Sequence, residues 1–434
     1  MVFSTGWYNP AFMVAGAIAD FSSVTPGQRR TLVAAALGWM LDAFDVMLYA
    51  LVLANVMGDL GISKAQSGLL NTLTLVASGI GGVLFGFVAD RIGRKKALML
   101  SILTYSLCSF GSGLSTSLPM LAAFRFVLGL GMGGEWNTGA TLVAETWPTH
   151  LRAKAIAIVQ SSWAIGFALA ALGVWVVLQF FDWRAVFFVG ILPAAVILWI
   201  RRKVPESEMW EQQRSRAAAA GHSPAETRLR QTAFADIFSP RYLRNTLALL
   251  LLNFFGMFAW WGLFTWVPAY LTLPLSQGGR GFSETEKTAL LVILNLTGML
   301  PGYASFGWVA DYLGRRKAFI LYTFAAALLV PLYAMAESLW MLLLLGTPVA
   351  FFGTGFFSGS GIIGSEIFPT SVRARALGFT YNGARTLSSV APFVIGYVAQ
   401  TRGLAGAFFL CAVSFFLASL VATMLPETKG KELE

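Results

Sequence analysis

Gly86-Phe-Val-Ala-Asp90-Arg-Ile-Gly93-Arg94-Lys95-Lys96 closes one apolar stretch, and Gly307-Trp-Val-Ala-Asp311-Tyr-Leu-Gly314-Arg315-Arg316-Lys317 closes another. The two copies stand 221 residues apart. Two further pairs keep that register: Glu145-x-x-Pro148-x-x-x-Arg152 with Glu366-x-x-Pro369-x-x-x-Arg373, and Pro205-Glu206-Ser207 with Pro426-Glu427-Thr428. One coincidence is weak; three at a single spacing mark a doubled unit.

The unit is a membrane one. Of 434 residues, 56% are hydrophobic and 12% charged, about half the usual charged share of a soluble chain. The 44 glycines suit membrane helices. A net charge of +10 fits nucleic acid or membrane, but the basic residues sit in short loops between apolar runs, so no nucleic-acid partner is expected. Cys108 and Cys411 lie in apolar runs and read as small buried hydrophobes. Phe12 to Ala19 is short, has no basic flank and is not read as a signal peptide.

Twelve spans are expected, at 31–54, 68–89, 97–114, 120–143, 155–179, 185–200, 246–271, 288–310, 318–336, 339–363, 376–400 and 404–425. The run at 185–200 is the shortest. Arg29-Arg30, Arg91 to Lys96, Arg152 to Lys154, Arg201 to Lys203, Arg315 to Lys317 and Arg373 to Arg375 share one side. The positive-inside rule makes that side cytoplasmic, with both termini. The expected organisation is a cytoplasmic segment 1–30, a six-helix half 31–200, a linker 201–245, a second half 246–425 and a tail 426–434. The linker carries Arg214, Arg216, Arg228, Arg230 and Pro224; orientation explains its charge, and contact with anionic lipid heads is compatible with it. Two parallel six-helix repeats that rock about a midplane site form an alternating-access transporter.

The Gly86–Lys96 loop and its repeat resemble the signature loop of the major facilitator superfamily, and the likeness spans roughly 28–428. Within it, Leu41-Asp-Ala-Phe-Asp45, Gly131-Met-Gly-Gly-Glu-Trp136, Glu145-Thr-Trp-Pro-Thr-His-Leu-Arg152, Phe187-Phe-Val-Gly-Ile-Leu-Pro193 and Leu377-Gly-Phe-Thr-Tyr-Asn382 resemble the proton symporters for sialic acid and related carboxylates. Aromatic-acid symporters come second; where they carry Gly between the Asp and the aromatic residue, this chain has Ala43. The resemblance implies an all-α fold of twelve helices, carboxylate uptake driven by protons, and residence in a bacterial inner membrane.

Charges inside the apolar runs name the candidate site, because an ionised side chain is costly there. Asp42 and Asp45 are three apart and share a helix face. Counted from Arg30 they lie about 18 and 22 Å along the helix, and at least one is expected to exchange a proton. Arg125 lies about 9 Å in from Pro119, near the height of Asp45, so an Asp45–Arg125 pair is expected, either switching or permanent. Glu135, among Gly129, Gly131, Gly133 and Gly134, is a second proton site or a pairing partner. Arg385 has no acid in its own span. Its fork suits a carboxylate, so it is the candidate anion holder, with a salt bridge to Asp42 or Asp45 as the other reading. The repeat counterparts of Asp42, Asp45 and Arg385 are Leu263, Trp266 and Ala164, so the shared scaffold does not require these charges.

Gln160, Asn253, Trp260, Trp261, Asn295, Tyr381 and Asn382 are candidate cavity residues, or equally helix–helix contacts. Asp90, Arg94, Glu145, Arg152, Asp311, Arg315, Glu366 and Arg373 fall at cytoplasmic span ends and look like gate latches. His150 and His222 lie in loops. The sequence holds no nucleotide loop, metal cluster or nucleophile–base set, so neither enzyme nor cofactor is expected and uphill transport must draw on an ion gradient. The expected partners are protons, a small organic anion and membrane lipids, with the monomer as working unit. A neutral solute such as a sugar, an exporter and a non-transporting receptor are the competing readings.

Overall fold

The computed structural model describes residues 24–219 and 234–430. Phe12–Ala19, most of the segment 1–30, the linker residues His222, Pro224, Arg228 and Arg230, and the tail end 431–434 lie outside the described residues, as do the side chains of His150, Arg214 and Arg216.

Twelve crossings are helical among the described residues. Span 1 is Pro26–Leu60, span 2 Lys64–Ile92, span 3 Arg94–Gly113, span 4 Leu118–Thr146 and span 5 Thr149–Leu178. Span 1 begins earlier than its apolar run because Thr25 and Gln28 form a capping box with Pro26 behind it, and it ends at left-handed Gly61. Span 6 is short because it is two helices, Trp183–Val189 and Pro193–Lys203, parted where Pro193 supplies no amide. Span 7 is Leu243–Thr272, span 9 Arg315–Met335 and span 10 Leu339–Ile367. Span 8 runs from Glu284 to Leu313 with a π-helical turn at Leu294–Met299. Span 11 starts as Thr370–Ser388 and continues in the helix Ala391–Ala422, where Gly403, at φ 69°, turns the chain into span 12.

Nine of the described segments are long and apolar enough to cross a membrane by composition, one of them holding spans 11 and 12 together. Spans 3 and 4 are missing from that set: serines dilute the first, and glycines, Arg125 and Glu135 dilute the second. Many large apolar side chains point outward, among them Val83, Phe87, Leu172, Leu328 and Leu344. In water such a surface would aggregate; in lipid it is the expected exterior.

Packing repeats as the sequence does. Span 1 packs on 5, 2 on 4 and 3 on 4; span 7 packs on 11, 8 on 10 and 9 on 10. The two sets meet through spans 1 and 7, 2 and 11, and 5 and 8. Glycines set the closest approaches: a Cβ on Gly133 would strike the Ser78 backbone, and one on Gly68 the Pro392 carbonyl.

The recurring loop motif also gains a physical reason. Gly93 and Gly314 sit at φ 99° and 100°, which favours glycine. Each launches the next helix, whose first amides are capped by the glutamate of the Pro-Glu-Ser/Thr motif. Glu206 accepts from the Arg94 and Lys95 amides at 2.9 and 3.1 Å, and Glu427 from the Arg315 amide at 2.8 Å. Arg94 then bonds Asp90 at 2.9 Å and Glu145 at 3.0 Å; Arg315 bonds Asp311 at 2.7 Å and Glu366 at 2.9 Å. Arg373 donates to the Phe368 carbonyl at 3.0 Å, and Arg152 is half-buried with its Nε unpartnered.

Candidate functional site

Asp42, Glu135 and Arg385 form one cluster within the membrane, and Asp45 and Arg125 belong to another. The first borders a small cavity lined by Trp39, Gln160, Trp163, Met257, Trp260, Trp261, Tyr303, Phe357, Tyr381 and Arg385. Spans 1, 5, 7, 8, 10 and 11 all contribute, so the cavity lies where the two repeats meet. Its wall is aromatic. Trp39 and Trp163 are 4.8 Å apart by ring centroids, Trp260 and Trp261 4.9 Å, and Trp260 and Phe357 5.7 Å. Gln160 faces the hydroxyls of Tyr303 and Tyr381.

Arg385 is 5% exposed, and its guanidinium carbon lies 6.0 Å from the Trp39 ring centroid. Asp42 and Glu135, each 1% exposed, act on it electrostatically from the side of spans 1 and 4. Both Glu135 oxygens, Asp42 Oδ2 and Arg385 Nη2 have no hydrogen-bond partner. Glu135 reaches this place because Gly38 has no side chain: a Cβ there would collide with Glu135 Oε1. The indole nitrogens of Trp39 and Trp163 are also buried and unpartnered. Three N–H donors of cavity-lining residues thus lack acceptors, an arrangement that costs energy until something accepts from them.

The second cluster lies one turn farther along span 1. Asp45 Oδ1 accepts from Ser109 of span 3 at 3.1 Å, and a Cβ on Gly190 of span 6 would land on both residues. Arg125 is fully buried, and none of its three guanidinium nitrogens has a hydrogen-bond partner. The expected Asp45–Arg125 ion pair is not formed. Arg125 instead lies over the Tyr49 ring, 5.1 Å from its centroid, where the ring face attracts the cation. Asp42 and Asp45 therefore serve different clusters although they share a helix face.

Of the expected cavity residues, Arg385, Tyr381, Gln160, Trp260 and Trp261 line the space. Asn253, Asn295 and Asn382 do not. Asn253 donates across to the Thr380 carbonyl at 3.4 Å, and Asn295 turns back to the Leu291 carbonyl of its own helix at 2.8 Å. Sequence reasoning missed Trp39, Trp163, Tyr303, Met257 and Phe357. A signal existed for two of them: Trp39 stands three residues before Asp42 and Trp163 three after Gln160, each on the face of a polar residue.

A family model described as Major Facilitator Superfamily matches residues 35–284 and 272–434. The "Probable 4-methylmuconolactone transporter" of Cupriavidus pinatubonensis is 32% identical over 423 residues, covering 96% of this chain and 94% of its own. The sialic acid transporter NanX of Escherichia coli is 32% identical over 409 residues, covering 92% and 94%. In fold, the chain is similar to a partially occluded inward-open xylose transporter XylE of E. coli, with TM-score 0.75 at 18% identity over 94% of this chain and 100% of that one.

Proposed function

Because the chain belongs to the major facilitator superfamily, and is thus a multi-pass membrane transporter and not an enzyme, we propose that it takes up an organic monocarboxylate together with protons. The observation that carries this reading is a set of unpartnered donors on the residues that line the cavity. Arg385 Nη2, Trp39 Nε1 and Trp163 Nε1 belong to lining residues of one cavity and await acceptors. A carboxylate supplies acceptors and the charge that Arg385 balances best. The relatives' names, a muconolactone and sialic acid, support an organic-acid substrate.

Tyr381, Gln160 and Trp260 orient the substrate beside Arg385, while Asn253 ties span 7 to span 11. Asp42 and Glu135 stand behind Arg385 and compete with the substrate for its charge. Protonation of either acid frees the guanidinium for the anion, so proton and substrate bind as a set. Asp45 and Arg125 form a second element that pairs in another conformation. The halves 31–200 and 246–425 rock about the cavity, with 201–245 as linker and the basic loops and both termini cytoplasmic. The monomer is the working unit. Asp90, Arg94, Glu145, Arg152 and their counterparts Asp311, Arg315, Glu366 and Arg373 brace the cytoplasmic gate.

The test is reconstitution in vesicles with an inward proton gradient. Sialate, lactate, benzoate, nicotinate and xylose are offered in turn. One or more of the acids should enter with alkalinisation outside, and xylose should not compete. Transport of the neutral sugar alone, or acid flux indifferent to the gradient, would remove the reading.

A further inference from the structure

Tyr105 of span 3 belongs to neither cluster, yet it stands between them. It is fully buried, and its hydroxyl has no hydrogen-bond partner. Leaving such a hydroxyl unpaired is destabilising, and phenylalanine would fill nearly the same volume without that cost. A purely structural position therefore has no use for the oxygen.

Three geometric facts place it. Ser109, bonded to Asp45, lies one turn beyond Tyr105 on the same face of span 3. Asp42 lies one turn before Asp45 on span 1, which runs parallel to span 3, so Tyr105 sits at the height of Asp42. Span 4 presses against this point: a Cβ on Gly131 would come within 2.8 Å of the Tyr105 amide, and Ser101 Oγ donates to the Gly131 carbonyl at 2.7 Å. Glu135 is one turn along span 4 from Gly131. Asp42, Glu135 and Asp45 all act electrostatically on the phenol.

We propose that Tyr105 is the positioning and relay residue that passes the coupled proton between Asp45 and the Asp42–Glu135 pair behind Arg385. The step balances as a concerted exchange. A proton leaves the Asp45 carboxyl for the phenol oxygen while the phenol's own hydrogen passes to the Asp42 carboxylate. One O–H bond forms for each that breaks, the phenol ends neutral, and no other reactant is needed. The relay explains how acids in separate clusters, with no direct hydrogen bond, answer to one proton. It rests on the proton-coupled reading above.

The test is Tyr105→Phe in proteoliposomes, with benzoate and nicotinate as probes and three readouts: gradient-driven accumulation, counterflow and melting in detergent. Counterflow returns a loaded carrier and needs no proton release. Accumulation should fall by about tenfold or more, the scale of losing a positioned proton-transfer group, while counterflow stays within about twofold of wild type and melting is unchanged or higher. Unchanged accumulation overturns the relay. Equal loss of accumulation and counterflow overturns it as well, as does a collapse in melting, since the oxygen would then serve translocation or packing. A wild-type protein that moves either acid without protons defeats the underlying reading instead, and that result is visible before any variant is made.

Discussion

The ammonium of Lys287 donates to the backbone carbonyl of Leu51 at 3.0 Å and is ion-paired with Glu284. Lys287 is 1% exposed and belongs to span 8; Leu51 belongs to span 1. The bond thus ties one repeat to the other at the end away from the basic loops. Trp175 to Thr285 at 3.0 Å, Lys64 to the Gln277 carbonyl at 2.6 Å and Asn71 to Thr265 at 2.9 Å reinforce it.

Removing that ammonium should therefore open this end. A hydrogen bond to a charged group is worth about 1.5–3 kcal/mol, so Lys287→Met should lower the closed population about tenfold or more. With Cys108 and Cys411 replaced by serine, a single cysteine at Thr288, which is buried on the same helix, should react correspondingly faster with an impermeant maleimide. Equal labelling rates would mean the bond holds nothing shut.

Asp42→Asn and Asp45→Asn should each abolish proton-driven accumulation and leave exchange intact. Uptake across a pH series measures this. If both variants keep wild-type uptake and wild-type pH dependence, neither acid couples the proton.

Arg385→Ala should weaken binding of the transported acid by about 10- to 100-fold, the loss of a charge-assisted contact. Arg385→Lys should recover little, because an ammonium cannot reproduce the planar fork. Binding in detergent by calorimetry reads both variants; wild-type affinity in the alanine variant would take Arg385 out of the anion site.

A methyl group at Gly190 would occupy the place where Asp45 meets Ser109. Gly190→Ala should cost about 1–3 kcal/mol of stability by overpacking and weaken the pH dependence of uptake that Asp45→Asn abolishes. Gly86→Ala, with nothing within 4 Å, is the matched control and should be neutral. Thermal melting and pH-dependent uptake of the two variants decide it.

Glu427 lies beyond the last span. Burial pushes its carboxyl up, but the amides of Arg315, Lys429, Thr428 and Arg316 outweigh that and hold it below the usual glutamate value. A depressed folded value contributes stability above the unfolded pKa of about 4.3 and loses it as pH falls through the folded value. At a helix N-terminus this is worth about 0.3–1 kcal/mol. Glu427→Gln should melt lower than wild type at neutral pH and converge with it in acid. A gap independent of pH would show that the charge is irrelevant.

The sequence made the repeat and the intramembrane charges legible because both break a pattern. A duplicated motif stands out against composition, and Asp42, Glu135 and Arg385 stand out against oil. The cavity wall did not announce itself. Trp39, Trp163 and Tyr303 are aromatic residues in apolar runs, and nothing in one strand of text separates a ring facing a cavity from a ring facing lipid. Asn253 and Asn295 failed for the converse reason: an amide inside a membrane satisfies itself on a neighbouring carbonyl as readily as on a solute. For Arg125, a height counted along the helix does not tell whether a guanidinium meets a carboxylate or a ring face. Glu206 and Glu427 were visible as a repeated tripeptide, while their task as helix caps needed the folded chain.

Arg94 pairs with Asp90 and Glu145, and Arg315 with Asp311 and Glu366, so each copy of the ancestral duplication builds the same set of ion pairs. The chain therefore carries its own matched experiment. The same lesion, introduced first in one set and then in the other, compares two sites with the same charged residues within a single molecule, the second more exposed than the first.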